Sequence, residues 1–164
     1  MTDPLKNLPR DLPLDNRVTV LYVSSCERDR LCIRQIFSHT NWVILEADDC
    51  QAARETLRRN RVGVILCDCR LPDGEWKEVL LSLSQQPDSP LLIVSSDGAD
   101  VSLWAELLNL GAYDFLSKPF DRVEVTRVIS LAWLHWRNSV AKKPPNRVVI
   151  PNGGNPQRVA RATA

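Results

Sequence analysis

Five short runs of apolar, mostly β-branched residues alternate along the chain with five segments of helical length. The runs lack the polar alternation of a half-exposed strand, so each is predicted to be a strand buried on both faces. Such alternation builds parallel strand–helix units with right-handed crossovers, which predicts an α/β fold with an open, doubly wound (βα)5 sheet of flavodoxin-like type. The predicted strands are residues 18–23, 42–45, 62–67, 91–94 and 113–116, and the predicted helices are residues 28–39, 51–60, 75–85, 101–110 and 121–138.

The two ends of the chain differ from its centre. They are rich in Pro, Asn and Arg and show no hydrophobic periodicity, which is typical of disorder. We therefore predict one compact domain over residues 17–138, a disordered segment over residues 1–16 and a basic, disordered tail over residues 139–164. The last helix carries the clearest apolar stripe, which is predicted to pack in the core. This stripe is Val125, Val128, Ile129, Ala132, Trp133 and Trp136.

Charge and cysteine usage restrict the compartment and the partners. Residues 137–164 hold six basic residues and no acid, but no aromatic residues are interleaved with them, so nucleic acid is not an expected partner. The sequence has no apolar run long enough for a membrane helix and no signal-peptide pattern at its start. Its five cysteines lack a disulfide or zinc spacing and are predicted to be reduced thiols. We expect a cytoplasmic protein without a membrane partner.

Polar side chains follow the predicted strands at the points where these end. Because the carboxyl ends of parallel strands meet at one edge of a sheet, a carboxylate, a hydroxyl and an ammonium are predicted to converge there. The ammonium would pair with the carboxylate or with an anion carried by it. These residues are Ser24, Ser25, Asp68, Ser95 and Lys118.

Two segments point to a known family. Residues 67–74 (CDCRLPDG) and residues 111–120 (GAYDFLSKPF), in this order and at this separation, resemble the receiver domain of bacterial two-component response regulators. The resemblance covers residues 18–138. It implies a receiver in a phosphorelay that accepts a phosphoryl group from a histidine kinase or phosphotransfer protein. Because no second folded domain is predicted after the last helix, we expect a stand-alone receiver. It also implies a protein-interaction face that switches on phosphorylation.

The resemblance assigns a role to each matching residue. Asp68 corresponds to the phosphoacceptor, which forms an acyl phosphate. Lys118 and Ser95 correspond to the residues that contact the phosphoryl group, and Phe115 corresponds to the switch aromatic. The bond between Lys118 and Pro119 corresponds to the cis peptide of the family.

The chain departs from the family at its metal site. Receivers have two acidic residues after the first strand that hold Mg²⁺, and here those positions are Ser24 and Ser25. Asp68 and the backbone carbonyl of Arg70 remain as ligands. Because Mg²⁺ usually needs one or two carboxylates and phosphoryl transfer depends on charge neutralisation, we expect weak, slow or absent phosphorylation.

Two hypotheses therefore stay open. The retained Asp68, Ser95 and Lys118 favour a phosphorylatable receiver, whereas the loss of both metal acids favours a phosphorylation-independent pseudo-receiver that acts as an interaction module. Glu27 and Asp29 are nearby acids that could substitute, but we interpret them as helix N-terminal acids favoured by the dipole.

An enzyme on the same fold class fits the sequence less well. None of the cysteines is followed six residues later by arginine, as the phosphate loop of a low-molecular-weight tyrosine phosphatase requires. The segment after the first strand also lacks the glycine of a flavodoxin phosphate loop. We therefore predict no independent enzyme activity.

The fourth helix, fifth strand and fifth helix correspond to the switch surface of the family. Trp104, Trp133 and Trp136 are predicted to supply apolar area there, and tryptophan is enriched at interface hot spots. A homodimer through this face is the resulting hypothesis.

Overall fold

A computed structural model describes residues 17–84, 86, 88–98 and 101–143. The strands are β1 (Thr19–Val23), β2 (Val43–Ala47), β3 (Val64–Asp68), β4 (Arg70–Leu71), β5 (Gly74–Glu75), β6 (Leu91–Asp97) and β7 (Asp114–Lys118). The helices are α1 (Glu27–Phe37), α2 (Cys50–Arg59), α3 (Trp76–Leu83), α4 (Val101–Leu110) and α5 (Arg122–Lys142). Five strands form a parallel sheet in the order β2-β1-β3-β6-β7, which confirms the predicted fold class.

Helices cover both faces of this sheet. One apolar cluster, which we call the α1–α5 cluster, joins the two helices α1 and α5 to Val20 and Tyr22 of β1. The other, which we call the α2–α4 cluster, joins α2, α3 and α4 to Leu21 and Val23. Successive residues of β1 therefore face opposite layers, as strand geometry requires. The predicted apolar stripe of α5 is buried throughout and belongs to the first of these clusters.

Four strands extend further at their carboxyl ends than the sequence predicted, and one of them is β2, which ends at Ala47 and not at residue 45. β3 includes Asp68, β6 continues to Asp97 and β7 continues to Lys118. Polar side chains marked the predicted ends, but ladder hydrogen bonds use the backbone alone, so the pairing continues through them. Asp68 pairs directly with Ser95 in the β3–β6 register.

The last helix also differs from the prediction, because α5 ends at Lys142 and not at Asn138. Its final turn is held by the partly buried Val140, which packs against the α1–α5 cluster. The backbone N–H of Lys143 donates to the carbonyl of Val140. Residues 139–142 of the predicted disordered tail (139–164) therefore belong to α5, whereas the predicted disordered segment at residues 1–16 and residues 144–164 of the tail lie outside the described residues. Within the described part of the chain, no helix has the length and hydropathy needed to cross a bilayer.

The structure corrects the predicted surface position of two of the three tryptophans of the expected switch surface. Trp133 and Trp136 are only 7% and 2% exposed and belong to the core, whereas Trp104 on α4 is 49% exposed. The two buried indoles lie over the backbone of Gly63, where an added Cβ would come within 2.5 Å of Trp133 and 2.7 Å of Trp136. The large flat side chains of α5 thus require a residue without a side chain directly before β3.

Candidate functional site

The carboxyl ends of β1, β3, β6 and β7 bring four of the predicted polar residues together, namely Ser24, Asp68, Ser95 and Lys118, whereas Ser25 is exposed and does not belong to the site. Asp68 and Lys118 end their strands, Ser95 lies beside Asp68, and Ser24 directly follows β1, where its N–H donates to the carbonyl of Ala47 at 3.0 Å. Ser24 and Ser95 are fully buried, and Asp68 is 7% exposed. The edge of the sheet therefore brings together the predicted carboxylate, hydroxyl and ammonium, and it adds further hydroxyls to them.

Both oxygens of Asp68 accept hydrogen bonds. Oδ1 accepts from Ser95 Oγ at 2.9 Å and Tyr22 OH at 3.3 Å, and it lies 3.0 Å from Lys118 Nζ. Oδ2 accepts from Ser24 Oγ at 2.6 Å. Four side chains, from four different positions along the sheet edge, thus compensate one buried carboxylate, which would be costly to bury without such partners. We call these four side chains, Tyr22, Ser24, Ser95 and Lys118, the donor cage.

Tyr22 is a member of the site that the sequence analysis did not find. It lies inside an apolar run and was read only as part of a buried strand. Its side chain lies on the same face of β1 as Ser24, because the two are separated by one residue. Burial and the neighbouring charge of Asp68 raise the pKa of Tyr22, so its phenol stays protonated and donates. The spacing of two residues to Ser24 was the signal that could have identified it.

Lys118 contacts two carboxylates. Its Nζ lies 2.6 Å from Asp29 Oδ2 as well as near Asp68. Burial lowers the pKa of Lys118, but the hydrogen bond to Asp29 and the charge of Asp68 outweigh it and raise the pKa above its usual value. Lys118 is therefore an ammonium at neutral pH.

The two acids of the first turn of α1 have different surroundings. Asp29 does lie in that turn, but reading it only as a helix acid was incomplete, because its carboxylate also binds Lys118. Glu27 instead forms ion pairs with Arg30 and Arg34 on the surface of α1. Only Asp29 therefore belongs to the site.

Phe115 and the next residue, Leu116, lie on opposite faces of β7. It is partly buried and packs against the α2–α4 cluster, whereas Leu116 belongs to the α1–α5 cluster. The Lys118–Pro119 peptide is cis, as predicted. A cleft of about 670 Å³ opens over the site, and Asp68, Ser95, Lys118 and residues of α4 line it.

The cysteines around the site are free thiols. Cys67 is buried in the α2–α4 cluster, and burial followed by the charge of Asp68 raises its pKa. It is therefore a neutral side chain that fills the layer beneath the sheet. Cys26 and Cys69 line the cleft.

The residues of this site fit a divalent cation poorly. Receiver domains typically bind Mg²⁺ in an acidic pocket, but Ser24 here donates to Asp68 where that pocket has acids. Among the described residues, no group of three or more His, Cys, Asp or Glu side chains could hold a metal. Asp68 offers no oxygen that lacks a donor, so the predicted ligand pair of Asp68 and the Arg70 carbonyl is a weak site for an ion that prefers several oxygen ligands.

Comparison with known proteins gives one family. The sequence profile of the response regulator receiver domain matches residues 21–130. The transcriptional regulatory protein FixJ of Bradyrhizobium diazoefficiens is 38% identical over 86 residues, which are 52% of this chain and 42% of that protein. The chain spans less than half the length of this relative and of the regulator DctD of Pseudomonas aeruginosa.

Solved structures agree with the fold. The signal receiver domain of an HD domain-containing protein from Pseudomonas fluorescens Pf-5 has a TM-score of 0.72 at 24% identity and covers 82% of this chain and 100% of its own. The beryllofluoride-activated NtrC4 receiver domain dimer has a TM-score of 0.65 at 24% identity, with coverages of 72% and 98%. With the profile spanning most of the folded region, the chain belongs to the response regulator receiver domain family.

Proposed function

We propose that this receiver domain takes part in a two-component phosphorelay by accepting a phosphoryl group on Asp68. The observation that carries this proposal is the convergence of Ser95 Oγ and Lys118 Nζ on the same oxygen of Asp68, at 2.9 and 3.0 Å. Both groups are positioned to bind the oxygens of a phosphoryl group attached to that carboxylate. The donor of the phosphoryl group is a histidine kinase or a phosphotransfer protein.

The proposed step is a displacement at phosphorus. An oxygen of the Asp68 carboxylate forms a bond to the phosphorus of a phosphohistidine, and the P–N bond breaks with its electron pair going to the imidazole, which takes up a proton. The product is an acyl phosphate on Asp68 and a free histidine on the donor. Lys118 compensates the negative charge of the transferred group, and Ser95 donates a hydrogen bond to it.

The output of this step is proposed to be a change of the face formed by α4, β7 and α5. Ser95 on β6 and Phe115 on β7 lie on adjacent strands, since Ser95 pairs with Leu116. On α4, Leu107 alone is buried, whereas Val101, Trp104 and Leu108 are exposed. We propose that this apolar helix face binds a protein partner, with a second copy of the chain as the first candidate. The activities of the relatives do not identify what this face controls, because the chain spans less than half of the length of these proteins.

Intact-mass spectrometry tests the phosphoacceptor. The wild-type protein is incubated with acetyl phosphate, with and without Mg²⁺, beside Asp68→Asn and the control Asp73→Asn, whose carboxylate caps α2 and lies outside the donor cage. We expect a phosphoryl adduct in the wild type and in the control but not in Asp68→Asn. An adduct that persists in Asp68→Asn would contradict the assignment.

The second candidate function is a phosphorylation-independent interaction module. It is favoured by one observation, the hydrogen bond from Ser24 to Asp68 Oδ2, which saturates the carboxylate without a metal. If the wild type forms no adduct while a folded Ser24→Asp/Ser25→Asp variant does, this second function is the correct one.

A further inference from the structure

The Ser24 side chain is an integral part of the site, because it is buried and contacts Asp68 directly. Its hydroxyl is fully buried and donates to Asp68 Oδ2 at 2.6 Å, a short distance typical of a charge-assisted hydrogen bond. Ser24 Oγ itself accepts the backbone N–H of Cys26 at 3.1 Å, which fixes the direction of the hydroxyl proton toward Asp68. Ser25, one residue later, is exposed and makes no hydrogen bond to Asp68 in the described part of the chain.

Tyr22 acts on the other oxygen of Asp68. Its phenol is buried, donates to Oδ1 at 3.3 Å and is held by edge contact of its ring with Phe120. The two hydroxyls lie on one face of β1, so a single strand supplies a donor to each oxygen of the carboxylate. Ser95 and Lys118 complete the set from β6 and β7.

The charge of the site follows from these contacts. Asp68 and Asp29 both bind the ammonium of Lys118, which leaves one net negative charge for hydroxyl donors to stabilise. A carboxylate at the buried position 24 would add one more negative charge beside Asp68 and would need a cation. Serine hydroxyls remove that need, because they bring a proton donor without a charge.

We propose that Ser24, with Tyr22, takes over the orientation and charge compensation of Asp68 that a divalent cation provides elsewhere in the family, so that this site works without metal. Ser24 is thus a positioning residue. The proposal rests on the proposed function only in treating Asp68 as the working group. Its test reads stability and cation binding, so that it succeeds or fails separately from phosphoryl transfer.

The experiment measures Tm with Mg²⁺ and with EDTA at matched ionic strength for the wild type, Ser24→Asp, Ser24→Asn and Ser25→Asp. Asparagine matches aspartate in size at position 24 without its charge, and Ser25→Asp adds the same charge at an exposed neighbour. We expect the wild-type Tm to be the same in both buffers. Ser24→Asp should melt several degrees lower in EDTA and recover with Mg²⁺, whereas Ser24→Asn and Ser25→Asp should respond little to Mg²⁺.

Two results would overturn the proposal. One is a wild-type Tm that rises with Mg²⁺, since a metal would then already be part of the site. The other is a Ser24→Asp Tm that falls equally in both buffers, since Ser24 would then be a structural residue whose replacement has no link to a cation. If Ser24→Asp does not fold, calorimetric titration of the wild type with Mg²⁺ decides: absence of binding supports the proposal, and saturable binding refutes it.

Discussion

Asp68 is the residue on which the site depends. It is a nearly buried carboxylate whose cost of burial is offset by three hydroxyls and one ammonium. These donors differ in distance, with Ser24 the shortest and Tyr22 the longest. Removing a donor from a buried charged acceptor costs more than the bond itself contributes, because the acceptor is left with fewer partners. The order of distances therefore predicts an order of mutational effects.

Tyr22→Phe should lower the free energy of unfolding by about 0.5–1.5 kcal/mol, the range of a typical net hydrogen bond. The ring keeps its contact with Phe120, so packing is preserved. Asp68 Oδ1 also keeps Ser95 and Lys118 as partners. Urea unfolding measures the change, with Ser24→Ala beside it. A larger loss for Tyr22→Phe than for Ser24→Ala would contradict the ranking.

At the scale of elements, side chains from loops and helices fix how neighbouring elements meet. Asp73, between β4 and β5, accepts the backbone N–H groups of Cys50 at 2.8 Å and Gln51 at 3.1 Å. It thereby caps the N-terminus of α2 together with Asp49, whose side chain accepts from Ala52. The short hairpin that follows Asp68 is thus tied to the helix on the α2–α4 side of the sheet.

This cap predicts a pH dependence. The backbone hydrogen bonds, led by that of Cys50, lower the pKa of Asp73. A carboxylate with a depressed folded-state pKa stabilises the fold above its unfolded-state pKa, near 3.8, and this contribution is lost as the pH falls through the folded-state pKa. Asp73→Asn should therefore cost about 0.5–1 kcal/mol at neutral pH, the low end for a helix cap at an exposed site, and flatten the decline of Tm below about pH 4. Glu55→Gln on the exposed side of α2 is the control. If the Tm of Asp73→Asn declined at acidic pH as steeply as that of the wild type, the proposed cap would be refuted.

The contact of α5 with β3 gives a second prediction for elements. Gly63→Ala should destabilise the domain by about 1–3 kcal/mol, because the added methyl group overlaps the indoles of Trp133 and Trp136. Thermal unfolding measures the loss. Adding Trp136→Leu should make the double variant lose less than the sum of the two single losses, since the smaller side chain frees the space. Additive losses would place the strain elsewhere.

Prediction from sequence succeeded where a physical signal was periodic and failed where it depended on spatial neighbours. The apolar runs and the α5 stripe led to the correct fold, because alternation of strands and helices leaves few topologies open. The convergence of Asp68, Ser95 and Lys118 was predicted correctly because the carboxyl ends of parallel strands meet, whereas their roles in phosphoryl transfer stay predictions. Tyr22 was missed because it lies within an apolar run, where a tyrosine is expected to pack as an apolar residue. The contact of Asp29 with Lys118 was missed because the two residues are 89 positions apart in the sequence. Trp133 and Trp136 were assigned both to the core stripe and to the surface, and the structure confirms only the core.

At the scale of the whole molecule, the exposed apolar residues of α4 stand out. Trp104 is half exposed, and Val101 and Leu108 lie one turn before it and one turn after it. These three side chains form a stripe that the fold leaves uncovered, because α4 buries Leu107 alone. Aromatic anchors of this kind dominate the energy of protein interfaces.

If two copies associate through this stripe, Trp104→Ala should weaken the dimer by about 2 kcal/mol, or roughly 30-fold in Kd. Sedimentation velocity over a range of concentrations measures the shift. Leu31→Ala removes a comparably exposed apolar side chain from α1 and should leave association unchanged. Equal effects of both substitutions, or a wild type that stays monomeric throughout, would remove this face as a homodimer interface.

The donor cage also has a consequence for local motion. Its members sit at the ends of β1, β6 and β7 and bind a carboxylate at the end of β3, so one anion links the ends of four strands. The ends of strands, where they meet loops, usually unfold locally and independently of one another, at a lower free energy than the core requires. Here the amides around Asp68 should instead exchange with deuterium as one cooperative group, and neutralising that single carboxylate should let each strand end open independently.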